Sequence, residues 1–365
     1  MGADRLRTPE LSRPYMQRRS AMTSLLLLLI LGIAVVLAFD FTNGFNDAAN
    51  MVATLVASRA MTPLQAVILV AIFTFAGPVL AGTAVADTIG GFVDLGPLPP
   101  STGVLVVVCG VLGAVLWNIV IWWWAMPSSS THALVGSLVG AVWVSTGAGA
   151  VNWGLDPLLQ GQMTGVTKVL LSLLLSPPAG FIAGWLLHRL MLFLLRAAHP
   201  SINRRLRQSQ WLTASALAFS HGANDAQKGM GIITLLLVLA STLPTFSVPI
   251  WVIALSATSM TLGTVLGGWR IVRTVGFGIY KLRPIHGLDA QLTSSAVVFG
   301  ASLFGGPVST THVVNSSIMG IGASEHVRRV HWLKAREIVL TWVVTLPGSA
   351  LAGAGLCGLA QLLVH

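Results

Sequence analysis

The residues with chemistry to offer stand in two polar knots inside apolar sequence, FTNGFNDAANMVAT (Phe41–Thr54) and FSHGANDAQKGMGI (Phe219–Ile232). Each presents an Asn–Asp pair, Asn46 with Asp47 and Asn224 with Asp225. Three positions past each acid stands another polar residue, Asn50 in the first knot and Lys228 in the second. Carboxylate and amide oxygens so grouped can ligate a small hard cation, or the acid can take a proton. His221 precedes Asp225 by one helical turn and is the better placed proton partner. A carboxylate inside a membrane segment costs about 3 kcal/mol on insertion scales, so it generally faces a pathway or a partner.

A second pair of blocks also repeats: PSSSTHALVGSLVG (Pro127–Gly140) and PVSTTHVVNSSIMG (Pro307–Gly320). Pro127 and Pro307 sit where half-helices start, followed by Ser129, Ser130 and Thr131, or by Ser309, Thr310 and Thr311. Unpaired N–H groups at a helix start, joined by hydroxyls, describe an oxyanion cradle. One such cluster alone reads as ordinary helix capping. Two clusters, each followed by a His (His132 and His312), read as one two-sided site for a small tetrahedral anion. Those histidines either relay a proton or bond a helix end, and the residues leave both open.

A weaker echo pairs ADTIGG (Ala86–Gly91) with VRTVGF (Val272–Phe277), setting Asp87 opposite Arg273 as a candidate gating pair; Arg273 also reads as part of a basic edge. All three pairs recur in one order at an offset of about 180 residues, which indicates an internal duplication.

The elements that must carry these residues are membrane helices. The 365-residue chain is 54% hydrophobic and only 9% charged, with a mean hydropathy of +0.80. Apolar segments fall at 22–58, 63–86, 103–126, 131–150, 166–196, 211–241, 248–269, 290–306, 309–323 and 336–363. The expectation is an all-α polytopic membrane protein of about ten such segments, in two inverted repeats with broken or re-entrant helices. Residues 1–20 form a basic tail with five Arg, 21–196 the first membrane repeat, 197–210 a basic linker loop and 211–365 the second membrane repeat. The net charge of +10 collects in the tail and in loops 196–210, 270–283 and 328–336, the pattern of membrane orientation and not of nucleic-acid binding. Cys109 and Cys357 both lie in apolar runs, so neither a disulfide framework nor a thiol metal site is expected.

GFNDAAN, SHGANDAQKG and the two Ser/Thr-Thr-His blocks resemble the inorganic phosphate transporter (PiT) family, of the bacterial low-affinity phosphate permease type, which also has a sulfate-transporting branch. The resemblance spans nearly the whole chain after the tail. It implies a multi-pass protein of the bacterial inner membrane that imports inorganic phosphate by symport, commonly as a homodimer among membrane lipid. No enzymatic activity, metal or cofactor is implied beyond a coupling ion, H⁺ or Na⁺. Carried over onto this sequence, Asn46, Asp47, Asn50, Asn224 and Asp225 match signature positions for ion and phosphate, and His221 matches a family His. Ser129, Ser130, Thr131, Ser309, Thr310 and Thr311 match hydroxyls that face phosphate, and Asp87 an acid after the second segment.

Lys228 departs from that pattern. Sodium-coupled members keep Asn there, as Asn50 does in the first knot. An ammonium beside Asp225 can take the place of a bound cation, so the residues favour proton coupling or fewer sodium ions. Arg273 departs too, standing where many relatives carry an acid. Sulfate or a metal–phosphate complex is the rival substrate; a carboxylate at the site leans toward phosphate, which can still donate a proton. A hydrolase would need nucleophile, base and orienting acid in one place, and duplicated Thr-His blocks argue instead for two-fold binding.

Overall fold

The computed structural model describes residues 12–364, with side-chain surroundings for residues 22–363. Residues 1–11 of the basic tail lie outside the described residues, and 12–20 continue into the first helix. The first half contains α1 (Ser12–Ala57), α2 (Pro63–Leu80), α3 (Ala84–Gly90), α4 (Pro100–Trp123), α5 (Ser130–Thr146), α6 (Leu155–Leu159) and α7 (Gly165–Leu194). The second contains α8 (Ile202–Leu239), α9 (Ile250–Leu266), α10 (Trp269–Gly278), α11 (Pro284–Leu303), α12 (Thr310–His326) and α13 (Trp332–Val364). Setting aside α6, the halves repeat one order of six helices. Their packing repeats as well: α5 lies on α4 and α13, as α12 lies on α11 and α7. The two signature helices cross over, α1 packing on α9 of the second half and α8 on α2 of the first.

Three expectations are corrected. Among the described residues five helices, not ten, are long and apolar enough to cross a membrane: Met22–Ala57 within α1, α2, α4, α7 and Trp332–Leu363 within α13. A sixth span appears if α9 and α10, bent by 69° at their junction, count as one. The difference has a physical cause. α5 and α12 have 17 residues each, short of the about 20 that a bilayer core requires. α8 and α11 are long enough, but Asn224, Asp225, Lys228, Asp289 and Gln291 lower their hydropathy while being buried inside the protein.

Second, the expected helix breaks lie outside the polar knots: α1 and α8 run continuously through Phe41–Thr54 and Phe219–Ile232. The breaks come just ahead of the hydroxyl blocks, between α4 and α5 and between α11 and α12. There Ala125 (φ 54°) and Gly305 (φ 64°) turn the backbone left-handed. An unbroken helix satisfies its own backbone, so the knots can present side chains without needing water. Third, residues 202–210, expected in a loop, are the first turns of α8.

Signature glycines set the helix crossings. A methyl at Gly44 would meet the Met260 carbonyl oxygen at 2.1 Å, and one at Gly222 the Thr74 carbonyl oxygen at 2.2 Å. Their partners, Gly263 and Gly77, meet the Phe41 and Phe219 carbonyls as closely. Only glycine lets α1 reach α9, and α8 reach α2, at backbone contact. Gly222 therefore serves packing and does not bend α8.

The far end of α12 is anchored by a polar cluster. His188 of α7 bonds Asp289 of α11 at 2.6 Å, the Tyr280 hydroxyl donates to Glu325 at 2.8 Å, and Arg283 pairs with Glu325. His286 and its neighbours hold the Glu325 carboxyl well below the usual range, while burial and then the bonded Glu325 push the Tyr280 hydroxyl up to about 12.

Candidate functional site

α5 and α12 each begin three residues after a proline, and both starts are capped alike. The Ser129 hydroxyl accepts from the His132 N–H at 3.1 Å, and the Ser309 hydroxyl from the His312 N–H at 3.3 Å. An N-cap of this kind leaves the other first-turn N–H groups directed along the helix axis, where the dipole favours negative charge. Ser130, Thr131, Thr310 and Thr311, which follow the caps, are all buried. The two capping turns lie close together, with the His132 and His312 rings 4.8 Å apart.

The second-half hydroxyls meet the acids of both knots. Thr311 donates to Asp47 at 2.6 Å and accepts from Asn50 at 2.8 Å, while Asn50 also donates to Asp47 at 3.0 Å. One residue earlier, Thr310 donates to Asp225 at 3.3 Å and stands 3.3 Å from the His221 ring nitrogen. Asp225 is held further by His221 at 2.9 Å and by the Lys228 ammonium, which also donates to the Val308 carbonyl at 3.3 Å. Thr131 donates to that same carbonyl at 3.3 Å, tying the first hydroxyl block to the second. Asp47, His221 and Asp225 offer ligand atoms all within 4.8 Å of one another, a spacing that can hold a cation.

Not every expected residue converges. Asn46 turns to the other face of α1 and donates to the Asn118 carbonyl of α4 at 3.1 Å. Asn224 reaches sideways, donating to Ser302 and the Gly306 carbonyl and accepting from the Val308 N–H at 3.3 Å. It clamps the broken stretch ahead of α12 and does not join the Thr310 and Thr311 hydroxyls. Ser130 donates to Asn43 at 2.5 Å. Asp87 on α3 and Arg273 on α10 are exposed, and neither lies among these groups or forms an ion pair with the other.

Residues that sequence reasoning missed include Asn43 and Val308, which accept from Ser130 and Thr131, and Asp40, one turn before Asn43 on α1 and fully buried. The signal for Asp40 was present: an acid within an apolar run is a functional candidate by default. A cavity of about 460 Å³, lined by Lys168, Ser172, Ser176, Gly306 and Val308 among others, opens beside the stretch that leads into α12.

Comparison with known proteins identifies the family of the chain and a structure of the same fold. The profile described as the Phosphate transporter family matches residues 43–353. A Bacillus subtilis (strain 168) protein described as a probable low-affinity inorganic phosphate transporter is 41% identical over 336 residues, covering 91% of this chain and 97% of its own length. A Rhizobium meliloti (strain 1021) protein of the same description is 41% identical over 335 residues, covering 91% and 96%. A solved structure named the sodium-dependent phosphate transporter superposes with a TM-score of 0.81 at 24% identity, covering 92% of this chain and 99% of that one; at this identity the likeness concerns the fold.

Proposed function

The chain belongs to the phosphate transporter family, and from that footing we propose that it carries inorganic phosphate across the bacterial inner membrane by secondary active symport. Membership in a transporter family also sets it apart from the enzymes. One observation carries the assignment of the site: adjacent hydroxyls at the start of α12, Thr310 and Thr311, bond the signature acids of both halves. Phosphate oxygens would take Ser129, Ser130, Thr131, Ser309, Thr310 and Thr311 as hydroxyl partners, together with the first-turn N–H groups of α5 and α12. As the anion draws Thr310 and Thr311 away from Asp47 and Asp225, the acids gain need of a cation, which links substrate to coupling ion. A phosphate that still carries a proton can donate it to either acid; sulfate cannot.

Two observations bear on the coupling ion. A protein of the same fold is named sodium-dependent, which favours sodium here over the proton reading that Lys228 suggested from sequence. Asp47 with the unpartnered Asn50 Oδ1 offers it oxygen ligands in the first half. In the second half the Lys228 ammonium is already paired with Asp225, so a cation tethered to the chain serves that acid and no sodium is needed there. Labelled-phosphate uptake into proteoliposomes, with sodium and pH gradients imposed separately, tests the reading. Uptake driven by inward sodium and competed by arsenate but not by sulfate supports it; absence of phosphate accumulation under every gradient refutes it.

A further inference from the structure

Three buried carboxylates lie near the crossing of α1 and α8, and they are not treated alike. Asp225 has Lys228, and Asp47 has Thr311 and Asn50. Asp40 is fully buried, with neither oxygen in a well-formed hydrogen bond and no cation paired with it. Its carboxylate rests on Gly229 of α8, where a methyl would come within 2.2 Å of both oxygens, so the glycine makes its seat. The buried Ser256 hydroxyl of α9 lies beside it as a neutral donor. Asn43, one turn along α1, keeps its amide nitrogen unpartnered as well. An ionised carboxylate offered one neutral hydroxyl and no paired cation is costly to bury, whereas the neutral acid loses that charge and can donate its O–H to Ser256.

We propose that Asp40 is a second coupling site, which binds a proton and passes it across the membrane together with phosphate. The inference rests on the reading of the chain as a phosphate transporter and goes beyond it, because Asp40 lies outside both repeated blocks. The duplication sets it opposite the apolar Ala218, so neither repeat symmetry nor the anion cradle accounts for it. The charged groups that face it are Lys228 and Asp225, both from α8; α9 contributes only the Ser256 hydroxyl. Lys228 adjoins Gly229 in the chain and is bonded to Asp225. While that bond holds, Asp40 keeps its proton; when rearrangement of α8 turns the ammonium toward Asp40, the carboxylate is stabilised and the proton leaves. Each buried acid is then matched by one positive charge: lysine at Asp225, sodium at Asp47 and a proton at Asp40.

The test uses the full-length protein in liposomes with equal sodium on both sides and an inward proton gradient. Wild type accumulates labelled phosphate, whereas Asp40→Asn shows an accumulation ratio of one while still exchanging phosphate for phosphate, and Asp40→Glu restores the response. An Asp40→Asn protein that answers the pH gradient like wild type overturns the proposal. A wild type driven by sodium and indifferent to pH overturns it too, yet leaves the phosphate reading standing. Infrared spectroscopy supplies a readout that needs no transport: a protonated-carboxyl band at neutral pH, lost in Asp40→Asn, is expected, and its absence from wild type is contrary evidence. Should Asp40→Asn not assemble, Ser256→Ala removes only the neighbouring hydroxyl and shifts the pH midpoint of uptake; an unmoved midpoint counts against the proposal.

Discussion

Replacing Lys228 by Met removes the ammonium and keeps most of the side-chain volume, so it isolates the charge. Asp225 then loses its partner on Oδ1 and keeps His221 at 2.9 Å and Thr310 at 3.3 Å on Oδ2. Both members of the pair are buried, Lys228 at 0% and Asp225 at 1% exposure. Stripping one partner from such a pair costs about 3–5 kcal/mol. The His221 and Thr310 partners that Asp225 keeps compensate in part, which sets the expectation at the lower end, about 3 kcal/mol or roughly a hundredfold in an equilibrium. In a chain of this size that lowers the unfolding midpoint by on the order of 5 °C. Fluorescence-monitored melting in detergent, without phosphate, measures it. Lys228→Asn, which copies Asn50, should regain part of the loss on adding sodium, by more than sodium stabilises wild type. A midpoint lowered by less than about 1 °C, with no added response to sodium, would refute the view that this ammonium stands in for a bound cation.

Other perturbations give sharp expectations. Thr311→Val strips the bond at 2.6 Å from Asp47 and the acceptor at 2.8 Å from Asn50, so stability should fall by about 1–3 kcal/mol and phosphate affinity with it, read by melting with and without phosphate. Gly44→Ala drives a methyl to 2.1 Å from the Met260 carbonyl; α1 and α9 must separate, and melting should report about 1–3 kcal/mol of lost stability. The Tyr280 hydroxyl, raised to about 12 from its ordinary value of 10.0, adds stability that is complete below pH 10 and lost as pH climbs through about 12. Tyr280→Phe should remove that alkaline step from a series of melts across pH.

Much of the site was legible because duplication labels it. Asp47 and Asp225, far apart in sequence, meet with His221 at one centre, and helices do start just past Pro127 and Pro307. Matching motifs could not say which way each side chain turns. Asn46 and Asn224 occupy equivalent positions, yet one bonds α4 and the other clamps the chain ahead of α12, since the neighbours of each helix differ. The helix count went astray because an apolar segment is not by itself long and apolar enough to span: α5 and α12 have 17 residues each. In α8 and α11 buried polar residues such as Asp225, Lys228 and Asp289 lower the hydropathy of otherwise long helices. Asp40 escaped notice because it has no echo in the other half. The His188–Asp289 and Arg283–Glu325 pairs are scattered along the sequence and meet only through the packing of α7, α11 and α12.

The most direct test is to locate the anion. A high-resolution structure with bound arsenate, a heavy analogue that anomalous scattering can place, should show it between the N-terminal turns of α5 and α12, contacting Thr310 and Thr311. Arsenate bound elsewhere, with both threonines still bonded to Asp47 and Asp225, would contradict the account.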